Sequence, residues 1–139
     1  MIRTQFFHDL TDEIAQLRRE VFIIEQGISE IDEFEGGEDT FVHICVFECT
    51  ELVGYIRVRI DGKQLRIGRA AIVKNKRRQG LGSNIMREAE NYGRSLGCIL
   101  ACLNAQVQAK KFYEYLGYSA REPVFIEAGI PHIKMEKTL

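Results

Sequence analysis

Apolar residues change their spacing several times along this chain, and each change marks a different kind of element. In "DLTDEIAQLRREVFIIEQ", Ile14, Leu17 and Val21 recur at helical spacing behind acids in the first turn, which predicts a helix from Asp12 to Phe22. The following "GISEIDEFEGGED" is polar, acidic and glycine-containing, and reads as a loop holding one short helical turn. From Thr40 the period drops to two. "TFVHICVFE", "LVGYIRVRI" and "LRIGRAAIV" are rich in β-branched and aromatic residues, and hairpin-sized connections join them. In the middle strand Ile56, Val58 and Ile60 share one face, and Tyr55, Arg57 and Arg59 the other. Helical spacing returns in Leu81, Ile85, Ala89, Tyr92 and Leu96, and Gly97 stops it. "CILACLN" predicts a strand buried on both faces. "AQVQAKKFYEYLGY" predicts a helix with Ala109, Phe112 and Leu116 inward, and the rest supplies two strands around a turn at Glu127–Gly129. The order is β–α–βββ–α–β–α–β–β, a mixed α/β (α+β) sheet with helices packed on both faces.

Composition narrows the function classes. A length of 139 residues suits one domain, 1–139, and a formal charge of −1 gives nucleic acid no global field to follow. No apolar run approaches a membrane span and the first residues lack a signal pattern, so a cytoplasmic protein is expected. The cysteines (Cys45, Cys49, Cys98, Cys102) lack the tight spacing of a zinc site, and reduced, mostly buried thiols are expected, with no metal.

The most unusual stretch is "KRRQGLGS", residues 76–83, between a predicted strand and a predicted helix. Successive backbone N–H groups and a helix start make a concavity suited to a phosphate or pyrophosphate, and glycine at 80 and 82 keeps side chains out of the way. Lys74, Lys76, Arg77 and Arg78 would add long-range attraction for a polyanion. A plain surface turn fits the same residues. A nucleic-acid contact lacks interleaved aromatics and a recognition helix, and a Walker loop lacks its GK[ST] ending.

"RRQGLG" resembles the R/Q-x-x-G-x-G/A signature of the GNAT N-acetyltransferase superfamily, with Arg77, Gly80 and Gly82 at the defining places. The preceding three strands and the later "FYEYLGY" follow that family's order over essentially the whole chain. "LRREVFIIEQ", "EIDEF" and "EAGIPHIKM" look like a subgroup of small bacterial members. The resemblance implies a central pair of parallel strands that splay apart, with acetyl-CoA as acetyl donor between them. Ala70, Ala71 and Ile72 would then flank the pantetheine arm. Arg78, Gln79, Gly80, Leu81, Gly82 and Ser83 would hold the pyrophosphate, mainly through backbone amides. Tyr113 falls where the family has a tyrosine that protonates the departing thiolate.

Two places depart from the family pattern. Gln106 stands where the family usually has an asparagine contacting CoA, and the position of a strand glutamate base falls near Ala101. A water chain, or a carboxylate or histidine from elsewhere, must then deprotonate the amine, and Glu25, Glu30, Asp32, His43 and His132 are the acceptor-side candidates. The implied activity is transfer of acetyl to a primary amine, small or on a protein, by direct attack. The missing strand glutamate leaves open a non-catalytic acyl-CoA-binding module. Dimers are common in the family, so a homodimer is compatible with the resemblance.

Overall fold

A computed structural model describes residues 1–139. Its strands are β1 (Ile2–Phe7), β2 (Val42–Glu48), β3 (Glu51–Asp61), β4 (Gln64–Ile72), β5 (Leu100–Gln106), β6 (Ser119–Glu127) and β7 (Ile130–Thr138). Its helices are α1 (Asp12–Arg18), α2 (Glu30–Glu33), α3 (Leu81–Ser95) and α4 (Lys110–Tyr115). All strands lie in one sheet in the order β1-β2-β3-β4-β5-β7-β6. Every neighbouring pair is antiparallel except β4 and β5, which are parallel. The element order read from the periodicity is the one observed, with the short α2 added where the acidic segment is expected to hold one helical turn.

The alternation in β2 to β4 builds two cores. Ile44, Ile56, Val58 and Leu65 meet Leu81, Ile85, Met86 and Ala89 of α3 on one face. Cys45, Phe47 and Tyr55 meet Ile14, Leu17, Val21 and Phe22 on the other. Gly93 sets how closely α3 can lie on β4, because a Cβ there would stand 2.9 Å from Leu65 Cδ2. The four cysteines are free thiols, with Cys45, Cys98 and Cys102 buried and Cys49 exposed. No helix is long and apolar enough to cross a membrane.

Two helices differ from the sequence expectation. The first does not end at Phe22: after Arg18 it widens into a π-helical stretch, Arg19–Glu25. The wider winding lets Val21 and Phe22, adjacent in sequence, both be buried. In α4 the inward set is not Ala109, Phe112 and Leu116. A 3₁₀ turn at Val107–Ala109 precedes the helix and rotates its face, so Tyr113 and Leu116 pack on the core. Phe112 is left 39% exposed, with its ring over Gly82.

The acidic segment is partly folded inward. Arg18, fully buried, donates from Nε to Glu33 Oε2 at 2.6 Å, from Nη1 to Glu38 Oε1 at 2.8 Å and from Nη2 to the Glu33 carbonyl at 2.8 Å. Arg57 reaches Glu38 Oε1 at 3.2 Å, and Arg69 approaches Glu33 Oε1 at 3.1 Å and Glu35 Oε1 at 3.2 Å. Burial opposes both charges of the central pair. For Arg18 the bonds to Glu38 and Glu33 outweigh it and hold the guanidinium above its ordinary value, whereas for Glu33 the desolvation wins and raises the carboxyl. The network clamps α1 and α2 onto β3 and β4.

Candidate functional site

The parallel pairing of β4 with β5 runs from Gln64↔Leu100 to Ile67↔Leu103 and goes no further. The cause lies in β4. Its register against β3 jumps between Arg57↔Gly68 and Tyr55↔Ala71, and of the two β4 residues in the jump, Arg69 and Ala70, Arg69 has φ +54. Such a bulge bends the strand away from its neighbour. A non-glycine residue held in the left-handed region is strained by roughly 1–3 kcal/mol. Here the side chain is fixed by Glu33 and Glu35 and by the carbonyls of Asp32 and Glu33. Past Ile67 the facing edges of β4 and β5 are free, and a cleft of about 670 Å³ opens there.

The turn from β4 into α3 continues that opening. Arg78 has φ +64 and Gly80 φ +81, so the backbone alternates hand as in an anion-binding nest. Gly80 caps α3 with no side-chain hydrogen bond, and the amides of Gln79 through Ser83 have no partner within the protein. A Cβ on Gly82 would lie 3.1 Å from the Phe112 ring, so glycine keeps α4 close to this turn. The cations beside it are divided. Arg77 binds both oxygens of Glu25, at 2.5 and 2.8 Å, and donates from Nε to the Ile72 carbonyl at 2.9 Å. Lys76 pairs with Glu48, while Lys74 and Arg78 have no ion pair.

Several residues singled out in the sequence meet at the cleft. Ala70, Gln106, Tyr113, Asp32 and His132 all line it, whereas Ala71 turns into the α1 core. The Ile72 carbonyl is already taken by Arg77. Gln106 donates to Gln26 Oε1 at 2.8 Å, which ties the end of the π-helical stretch to the end of β5. The Tyr113 ring stands edge-on to Phe112 at 5.0 Å and to Tyr118 at 6.0 Å. Desolvation pushes its hydroxyl up to about 12.

Other candidates are not brought there. Glu25 is held by Arg77, whose hydrogen bonds lower its carboxyl despite some burial. Glu30 pairs with Arg19 at 2.5 Å on the surface. His43 is sealed: Nε2–H donates to the Glu38 carbonyl at 2.9 Å, and Nδ1 accepts the Tyr55 hydroxyl at 2.5 Å. Burial holds His43 below its ordinary value. The unfolded chain therefore takes up the proton first, so stability is full above about pH 6.5 and falls as the pH drops toward the folded-state value. Urea midpoints at pH 7.5 and 5.5 should differ more for the parent protein than for His43→Gln. Equal declines would assign the loss to other groups.

Sequence reasoning missed two groups of cleft residues. Arg57, Arg66 and Arg69 line one wall with Asp32, Glu33 and Glu35. Opposite, Glu127 and Asn104 line the cleft beside His132. Glu127 Oε2 lies 3.6 Å from His132 Nε2, and Asn104 Nδ2 donates to Glu127 Oε1 at 3.2 Å. Glu127 read as a turn residue. The signal for its role was the two-residue turn after it, which sets the facing side of the hairpin.

Known proteins are similar to this chain in sequence and in fold. A family model described as Acetyltransferase (GNAT) domain matches residues 10–139. The protein YyaT of Bacillus subtilis (strain 168) is 38% identical over 130 residues, covering 91% of this chain and 88% of its own. The crystal structure of an acyl-CoA N-acyltransferase from Pseudomonas aeruginosa superposes with a TM-score of 0.86 at 29% identity, covering 99% of this chain and 100% of that one. In fold alone, the PaiA N-acetyltransferase of Thermoplasma acidophilum, solved with coenzyme A, superposes with a TM-score of 0.80 at 18% identity, covering 100% of this chain and 99% of that one. A family match over nearly the whole chain, a relative of this identity and the splayed β4–β5 pair agree, and the chain belongs to the GNAT acetyltransferase family.

Proposed function

We propose that this protein is a single acetyl-CoA-binding domain that transfers an acetyl group from acetyl-CoA to a primary amine by direct attack. The observation that carries this reading is the continuity of two features: the unpaired amides of Gln79–Ser83 and the free strand edges past Ile67. The turn suits a pyrophosphate, whose charge the start of α3 favours. The edges of β4 and β5 suit the amides of a pantetheine arm. A free strand-edge N–H can donate to the thioester oxygen as it becomes an oxyanion. The amine then attacks from the side of Glu127, whose carboxylate has no arginine or lysine partner and draws a cation.

Tyr113 acts on the leaving group in this scheme. Its hydroxyl, raised to about 12, stays protonated at neutral pH and can donate a hydrogen bond to the departing sulfur. An ordinary thiol titrates near 8.5, so complete transfer from so weak an acid is uphill. The proton that ends on sulfur therefore comes chiefly from the acylated nitrogen, with Tyr113 holding the thiolate meanwhile. Tyr113→Phe is expected to lower kcat about ten- to a hundredfold and to leave the Kd for acetyl-CoA within about threefold.

The test of the function is twofold. Titration calorimetry should show acetyl-CoA binding. A thiol-release assay against spermidine, kanamycin, glucosamine, free amino acids and a lysine-containing peptide should then find turnover, with mass spectrometry identifying the acetylated product. Absence of binding overturns the reading, and binding without turnover on any amine leaves an acyl-CoA-binding module instead.

A further inference from the structure

We infer that Glu127 and His132 form the pair that binds the acceptor ammonium and removes its proton. This rests on the acetyl-transfer reading above and supplies the base that Ala101 cannot. The hairpin of β6 and β7 places both residues. Ala128 (φ +52) and Gly129 (φ +75) form the two-residue turn between β6 and β7, with both central residues in the left-handed region, as a type I′ turn requires. That turn fixes Glu127 opposite Ile130 and Phe125 opposite His132. Glu127 and His132 are therefore diagonal neighbours on one face, at the distance where side chains meet. On its other side β7 pairs His132 with Gln106, the last residue of β5. The pair thus sits beside the opening between β4 and β5.

Hydrogen bonding sets the tautomer of the histidine and the aim of the carboxylate. His132 Nδ1 lies 2.7 Å from the Ile130 carbonyl, which can only accept, so Nδ1 carries the proton. The ring is held further by stacking on Phe125 at 6.0 Å and is almost wholly buried. In the neutral ring Nε2 then presents a lone pair, and it lies 3.6 Å from Glu127 Oε2, which also presents lone pairs. With the ring neutral, two acceptors at this separation have no proton to share. Asn104 Nδ2 occupies Glu127 Oε1 and so aims the free oxygen at the ring. A primary ammonium, with three N–H donors, satisfies both atoms at once.

An N–H of the ammonium passes its proton to His132 Nε2, giving an imidazolium beside the Glu127 carboxylate and a neutral amine. The nitrogen lone pair forms the C–N bond to the thioester carbon, and the C–S bond then breaks with its electron pair leaving on sulfur. The second nitrogen proton passes to the thiolate, and the imidazolium returns its proton to solvent. No oxidant or further reactant is required. The other charged or titratable side chains facing this space are Asp32, Glu33 and Glu35 from the acidic segment, Arg57, Arg66 and Arg69 from the sheet, and Tyr113 from α4. Glu33 and Glu35 are committed to arginines, and no second group orients Asp32.

The experiment uses Glu127→Gln and His132→Asn in the full chain, with the best acceptor of the amine panel named above. Gln keeps the bond from Asn104, and Asn places an amide nitrogen where Nδ1 stood, so both folds should survive. Acetyl-CoA affinity by calorimetry should be unchanged, while kcat/KM for the amine falls at least about a hundredfold at pH 7 in each variant. The loss should shrink about tenfold per pH unit as the amine deprotonates itself, a recovery that a merely structural role would not give. Variants within threefold of the parent, or a loss that does not change with pH, overturn the pair as base. If the parent turns over no amine, the acetyl-transfer reading falls and this inference with it, and the calorimetric signal still reports the donor site separately.

Discussion

Gly80→Glu is expected to weaken acetyl-CoA binding by at least about a hundredfold, or roughly 2.7 kcal/mol, while folding loses only the roughly 1–2 kcal/mol of left-handed backbone strain. Space is not the reason, since a Cβ at residue 80 meets nothing within 4 Å. Three effects add. The residue has φ +81, which any side chain makes strained. A rigid, correctly pitched turn is needed to present the amides of Gln79–Ser83 together. A carboxylate placed among them also satisfies the very donors that a pyrophosphate would use, and repels it. Arg78→Ala, on the same turn, should cost much less, because the backbone makes the cradle. Titration calorimetry on both variants, with melting curves as the folding control, decides the matter. A Gly80→Glu protein that binds normally would remove the turn from the donor site.

Arg18→Met should be the most destabilising single change outside the apolar cores, by about 3–5 kcal/mol. The guanidinium is fully buried and holds Glu33, itself 1% exposed, together with Glu38. Its loss leaves carboxylates in a dry interior with only Arg57 and Arg69 to share them. Several degrees per kcal/mol are usual for a domain of this size, so the melting temperature should drop on the order of 10 °C. Arg18→Met with Glu33→Leu should recover part of the loss, because the stranded charge goes as well. Urea unfolding of the single and double variants provides the measurement, and a single-variant loss under about 1 kcal/mol would show that water reaches the site.

How far the sequence spoke depended on how local each feature is. The α3 turn was legible because strand, glycines and helix follow one another within a few residues. The strands of β2 to β4 were legible because alternation is a property of each strand alone. The splay was not. It depends on Arg69 in a left-handed conformation, held by acids more than thirty residues earlier in the chain. The fate of the acidic segment was hidden for the same reason: nothing in "EIDEFEGGE" says that Glu33 meets a buried arginine from α1. The inward face of α4 was misread because a 3₁₀ turn shifted its phase. Glu127 lies between these cases. A two-residue turn at Ala128–Gly129 puts it on the same side as His132, and pattern alone could have said so.

That turn also bears on how such a protein can diverge. Donor recognition belongs to β4 and α3, whereas Glu127 and His132 belong to a hairpin whose register a single short loop dictates. Inserting one residue between Glu127 and Ile130 would shift the β6 pairing by one and turn His132 and Glu127 to opposite sides, with no effect on the glycine turn. A lineage can therefore abandon or reinvent its acceptor chemistry through a one-codon change in length, and still inherit the donor half intact.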